Sequence, residues 1–234
     1  MINVQRSQDR YSADHGWLKS RFSFSFADYY DPDNMSFGPM RVLNDDWIAE
    51  SEGFGMHPHR EMEIVTIVLK GYLEHRDSLG NRAKTTWGGI QRMTAGTGVH
   101  HSEFNVSEEE PLELLQMWFM PGERGLAPSY ETTDFDPAEL RGAFVPVASS
   151  SGVTGKVAHI HQDMTIYLSE AAAGQKLEYA LPSGRKAFLF VLEGDLRVNE
   201  DTILERRDAA RLEGVTELSF ASSDGARFML IDLP

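Results

Sequence analysis

His57-Pro58-His59 and His101-Ser102-Glu103 limit what this chain can become more than any other stretch. In each, two side chains able to bind metal stand two residues apart, so in extended backbone both project from one face of a strand. Glycines punctuate both stretches, and five of the eight histidines (His57, His59, His75, His100 and His101) crowd into one part of the sequence. Strands that bring the pairs together across a pocket would offer three neutral imidazoles and a carboxylate to one divalent metal, with a position left open for substrate. The chain has no cysteine, so any metal rests on nitrogen and oxygen.

The flanking sequence reads as strands and turns. Phe22-Ser23-Phe24-Ser25-Phe26 alternates with period two and predicts a half-buried strand, followed by a turn at Asp31–Asn34 and a further strand over Met40–Ile48. Ile64 to Leu69 is rich in β-branched residues and predicts a buried strand that turns at Lys70-Gly71. If that strand runs unbroken from His57, Glu63 shares the face of the two histidines. It is then expected to hydrogen-bond a ligating imidazole rather than to ligate metal itself. A meander follows through Tyr72–Asp77, Ala83–Trp87 and Ile90–Thr94, and Leu112–Met120 forms one more apolar strand before Pro121. His75, between Glu74 and Arg76, reads as a solvated strand residue, and His100 faces away from the side that carries His101.

At 234 residues the chain has room for two domains of roughly 100 to 150 residues. Connector chemistry at Asp134–Arg141 and Ser149–Gly152 divides it into residues 1–135 and 136–234. The second part echoes the first. Phe190-Val191-Leu192-Glu193-Gly194 matches Ile67-Val68-Leu69-Lys70-Gly71, with Gly214 and Gly225 following at nearly the offsets of Gly89 and Gly98. In this register Ala180, Pro182, Phe228 and Leu230 stand where the metal-binding pairs stand in the first part, so the second is expected to be degenerate and without metal. A third pair, His159 and His161, has no later partner histidine and suits an interdomain hydrogen-bonding role.

A formal net charge of -14 and a pI near 4.9 argue against direct nucleic-acid binding, because an acidic protein repels the polyanion it would have to neutralise. The polar stretch from Met1 to Arg10 shows no signal-peptide core and no apolar run is long enough to span a bilayer, so the cytoplasm, with no membrane association, is the expected location.

With these residues in place, the sequence resembles a known family. Gly96-Thr97-Gly98-x-x-His101 with Asn105 is similar to the second motif of the cupin superfamily, and His57-Pro58-His59 with Glu63 and Gly71 is similar to the first. The longer strings from His57 to Glu63 and from Thr94 to Asn105, with His15-Gly16-Trp17-Leu18, resemble the pirin family of bicupins, closest to bacterial members with quercetinase activity. The likeness is dense through Pro121 and looser after it. Gly96 stands where the cupin motif has a proline, and Glu63 lies one residue further from Gly71 than the motif expects. The resemblance implies an all-β fold of two antiparallel cupin barrels packed face to face, with metal in the N-terminal barrel only. It implies His57, His59, His101 and Glu103 as ligands, usually of iron, with nickel, cobalt, copper, manganese or zinc as alternatives. It also implies a dioxygenase that opens flavonols such as quercetin with release of carbon monoxide, Glu103 serving as catalytic base and dioxygen as co-substrate. Two other functions fit the same residues: a metal-bearing regulatory protein that binds a protein partner without turnover, and a different cupin reaction on another phenolic compound.

Overall fold

The β-branched and alternating stretches do become strands. In a computed structural model that describes residues 1–151 and 157–234, the described residues form strands and two short 3-10 turns, Ser7–Asp9 and Pro137–Leu140, with no α-helix. No helix among them is long and apolar enough to cross a membrane. Gly152, at the end of the second expected connector, lies outside the described residues.

The chain clusters into two compact units. The first comprises Tyr11–Phe135 with Ser150–Gln162, and the second Met1–Arg10 with Asp136–Ser149 and Asp163–Pro234. A boundary falls between Phe135 and Asp136, yet neither unit is a contiguous half, because two segments are exchanged. Ile2–Gln5 pairs antiparallel with the strand Ala209–Glu213, Ile2 opposite Leu212 and Val4 opposite Ala210, and both side chains pack on the apolar interior of the second unit. The His159–Gln162 segment is bonded into the first unit: His159 N donates to Glu131, His161 N to Glu63, and Gln162 Nε2 to the Met120 carbonyl.

The first unit has a large sheet and a small one. Glu63–Lys70 sits inside the large sheet between Gly89–Thr94 and Leu112–Phe119, and Met40–Ile48 and Leu18–Phe22 extend it beyond the latter. Ile64, Val65, Thr66, Ile67 and Val68 are all buried, as β-branched residues on a pleat covered on both faces should be. The small sheet runs in the order Gly53–His59, Val99–Asn105, Leu73–Asp77, Arg82–Thr85. The expected single strand from His57 into Glu63–Lys70 is broken. Glu61 adopts φ 52°, its N–H bonds the Gly96 carbonyl, and the residues before and after it join different sheets. The Phe22–Phe26 strand stops at Phe22, because beyond it the Ser25 hydroxyl binds the Asp31 backbone and both serines are buried with Phe22 and Phe24.

The second unit repeats this plan, which shows where the duplicated register holds. Lys186–Gly194 lies between Ala209–Glu213 and Ala226–Leu233, as Glu63–Lys70 lies between Gly89–Thr94 and Leu112–Phe119. Gly71 and Gly194 correspond as expected, at φ 81° and 77°, and a Cβ on either would strike the backbone where the next strand of the large sheet begins, at Pro111 and at Gly225. Gly225 is therefore the counterpart of Pro111, not of Gly98. The strand matching Val99–Asn105 is Glu217–Ala221: His75 opposite Glu103 corresponds to Val198 opposite Phe220, and His57 opposite His101 to Tyr179 opposite Leu218. This replaces the expected equivalences with Ala180, Pro182, Phe228 and Leu230. The hairpins of the second unit are shorter, so an offset that fits the first turn drifts beyond it. Val198, Leu218 and Phe220 belong to one apolar cluster, with Tyr179 packed against it.

The first unit instead keeps polar groups inside, and Asp46 exposes the cost. Its carboxyl is buried beside the Ser20 hydroxyl and is pushed up to about 7, chiefly by burial, with the Ser20 hydrogen bond opposing and Asp45 and Glu103 adding. In the unfolded chain it titrates near 3.8, so the unfolded state releases this proton first and stability falls as pH rises between the two values. Asp46→Asn, neutral throughout, is expected to match wild type near pH ~4 and to be more stable by roughly 2–4 kcal/mol above pH ~7 in the metal-free protein. Thermal melts across that range check it, and an advantage that does not change with pH would refute the assignment.

Candidate metal centre

The strands Gly53–His59 and Val99–Asn105 run antiparallel with His57 directly opposite His101. Gly53–His59 is the edge strand of the small sheet, which is why Pro58, with no N–H to give, is tolerated between the two histidines. Period two brings His57 and His59 to the side that meets His101. The three rings pack against one another at steep angles, with centroids 4.5 Å (His57 to His101), 4.7 Å (His59 to His101) and 4.8 Å (His57 to His59) apart. One ring nitrogen from each lies within 4.8 Å of the others.

The electrostatics fit a cation. His57 Nδ1 donates to the Gly55 carbonyl at 2.8 Å, which leaves its Nε2 with a lone pair. His59 Nε2 and His101 Nε2 are buried and have no hydrogen-bond partner. Burial, then the charge of His57, brings the His59 imidazolium down to about 4; burial, then His59, His57 and His75, brings His101 down to about 2. The His59 and His101 rings are therefore neutral at physiological pH. Buried, unpartnered lone pairs facing one another are costly unless something binds them, and a divalent metal suited to nitrogen does so.

Glu103 follows His101 on the same face. A register shift between the two sets Glu103 opposite Phe54, three residues from His57 on the partner strand, and Glu103 groups most closely with His101 and His75. Its carboxyl is buried, which pushes it up to about 7, against a 2.6 Å hydrogen bond from Gln116 Nε2 that pulls it down. Gln116 in turn accepts from Trp118 Nε1 at 3.2 Å, and the Trp118 ring stands edge-on to His59 at 4.8 Å and to Phe26 at 5.3 Å.

His100 is exposed on the opposite face, as expected, its N–H bonded to the Ser78 hydroxyl. Glu63 is buried, but its partners are Thr94 Oγ1 at 3.1 Å and His161 N at 3.0 Å, because the break at Glu61 moves it to the other sheet. The backbone N–H groups of His159 and His161 bond Glu131 and Glu63, residues that precede the boundary expected after residue 135. His75 departs most from expectation: it is 1% exposed, stacked on Tyr130 at 4.0 Å and in contact with His101. Two signals in the sequence pointed to residues that were missed. His75 shares the period-two face of buried Leu73, and Gln116 is the lone uncharged polar residue in the apolar strand Leu112–Phe119.

Comparison with known proteins agrees with this architecture. Residues 3–119 match the family model described as Pirin, and residues 146–233 the one described as Quercetinase C-terminal cupin domain. The chain is 38% identical to the quercetin 2,3-dioxygenase of Escherichia coli K12 over 100% of this chain and 99% of that one. It is 39% identical to a pirin-like protein of Caulobacter vibrioides over 94% of each. Among solved structures, the bacterial pirin YhhW from Escherichia coli in complex with nickel(II) superposes with a TM-score of 0.94 at 37% identity, covering 100% of this chain and 99% of that one. On its fold, its paired histidine strands and this likeness along its whole length, the chain belongs to the pirin family of two-cupin proteins.

Proposed function

We propose that this protein is a metal-dependent dioxygenase that cleaves flavonols such as quercetin, with the metal held by His57, His59, His101 and Glu103. The observation that carries the reading is the pair of buried, unpartnered Nε2 atoms of His59 and His101 beside His57. The name of the Escherichia coli relative supports the substrate class. Three nitrogens and one oxygen suit iron as well as nickel, and the family resemblance favours iron. A divalent metal held by these residues would supply Lewis acidity toward a substrate hydroxyl.

The chain's own residues do the rest. Glu103 would accept the flavonol 3-hydroxyl proton when its bond to the metal loosens. Gln116 fixes one oxygen of that carboxylate, and through Trp118 ties its position to the wall beside His59. Trp118 and Phe26 offer aromatic faces of the kind a planar flavonol stacks on. The overall reaction balances as flavonol plus dioxygen giving a depside plus carbon monoxide.

In an aerobic assay of metal-quantified protein, quercetin loss is expected to equal carbon monoxide release and to scale with bound metal. Paired His57→Ala and His59→Ala substitutions are expected to abolish both metal binding and turnover. Full metal occupancy without flavonol loss would overturn the enzymatic reading and favour a regulatory protein acting on a partner. Glu103→Gln is expected to keep the fold and lower kcat by roughly 10²–10⁴-fold. Turnover at the wild-type rate in that variant would remove Glu103 as the base.

A further inference from the structure

We propose that His75 is a positioning residue for the metal centre, relaying the Asp77 carboxylate to His101 and so fixing which nitrogen His101 presents. The inference rests on the metal-site reading above. His75 Nε2 lies 3.2 Å from Asp77 Oδ2, and its Nδ1 lies 3.4 Å from His101 Nδ1. An ionised carboxylate only accepts hydrogen bonds, so His75 carries its proton on Nε2. A neutral His75 then has a lone pair on Nδ1, and the facing Nδ1 of His101 must carry a proton to meet it. Neutral His101 is left with its lone pair on Nε2, the buried atom without a hydrogen-bond partner. The chain of donors therefore has one direction, set at its far end by Asp77.

Asp77 is held well enough to set it. Its Oδ1 accepts from Leu79 N at 2.9 Å and Asn81 N at 3.0 Å, and its Oδ2 from Asn81 Nδ2 at 2.9 Å. The His75 ring is clamped by the near-parallel Tyr130 ring, at an interplanar angle of 10°. The His75 and Asp77 side chains are 1% and 0% exposed, so bulk water does not compete for the bond between them. The second unit supplies an internal control. There the counterpart of His75 is Val198, in the unit where the counterparts of His57 and His101 are Tyr179 and Leu218. Relay and ligands are absent from it together, which would not follow if His75 served the barrel merely as packing.

His75, His101 and Glu103 also bring their donor atoms within 4.8 Å of one another, so a second cation behind His101 is the competing arrangement. The cavity they share with Tyr130 and Gln91 is only about 10 Å³, about the minimum for one water.

The test uses zinc as a diamagnetic probe on the full chain. Chelator competition gives affinity and stoichiometry, ¹⁵N-edited imidazole spectra give the tautomer of His101, and melts of the metal-free protein monitor the fold. One zinc per wild-type chain is expected, with His101 coordinated through Nε2 and protonated at Nδ1. His75→Leu is expected to weaken zinc binding by roughly 10–100-fold. His75→Gln, whose amide can accept from His101 and donate to Asp77, is expected to recover most of that loss. Wild-type affinity in a folded His75→Leu variant, coordination through His101 Nδ1, or a second bound zinc would each overturn the proposal. The wild-type spectrum decides the tautomer even if a variant fails to fold. A wild-type chain that binds no zinc would refute the metal-site reading itself, and the relay with it.

Discussion

The antiparallel pairing of Gly53–His59 with Val99–Asn105 is the constraint on which the rest of the first unit depends, because it alone sets His57 opposite His101. Its tolerance is small. At Gly53 a Cβ would run into the Glu103 carbonyl and the Phe104 backbone, so the strands approach as closely as backbone allows only with glycine there. Gly96, at φ 46° with its Cβ position pressed on the Leu126 carbonyl, starts the turn that delivers the second strand. A slip of one residue in this pairing would turn His101 and Glu103 outward and His100 inward, leaving one imidazole where two donors are needed.

The second unit shows what the same architecture looks like without that chemistry. Around the strands that correspond to the histidine strands its interior is apolar, with Leu196, Val198, Leu218 and Phe220 fully or almost fully buried in one cluster. Burial of this kind stabilises by about 25 cal/mol per Å² of apolar surface, whereas an enclosed carboxylate or imidazole contributes less than it loses on leaving water. The first unit carries His75, His101, Glu103, Asp46, Gln91 and Thr66 inside. Strand order in its two sheets matches that of the second unit, so topology does not require polar residues there. Their presence is a local departure from what stability alone would select, the kind of departure that marks a site.

Much of this arrangement could be read from the sequence because period two is local: spacing alone says that His57 and His59, or His101 and Glu103, share a face. The turn at Gly71 and its counterpart at Gly194 could be read for the same reason, since a positive φ beside a crowded backbone demands glycine in both. What could not be read depended on which sheet a strand joins. The break at Glu61 is one residue in a left-handed conformation, and nothing in the alternation around it announces that Glu63 belongs to another sheet. His75 was misread because its neighbours Glu74 and Arg76 are charged, although those side chains lie on the opposite face, paired with each other at 2.6 Å. The addition of Ile2–Gln5 to the second unit is a contact between chain positions too distant for any periodicity to register.

The protonation pattern inside the first unit is consistent across groups that share no hydrogen bond. Burial drives Asp46 and Glu103 upward and His59 and His101 downward, so each is shifted toward its neutral form. Carboxyls poised near 7 release protons readily once a positive charge arrives, and imidazoles that resist protonation keep their lone pairs available. Each shift would be a defect in a barrel meant only to be stable, since each marks a group that folding has made less comfortable in its charged form. Together they describe a chamber adapted to a compact positive charge. In that setting a relay from Asp77 through His75 adds a negative charge close enough to favour the cation while remaining outside its coordination sphere.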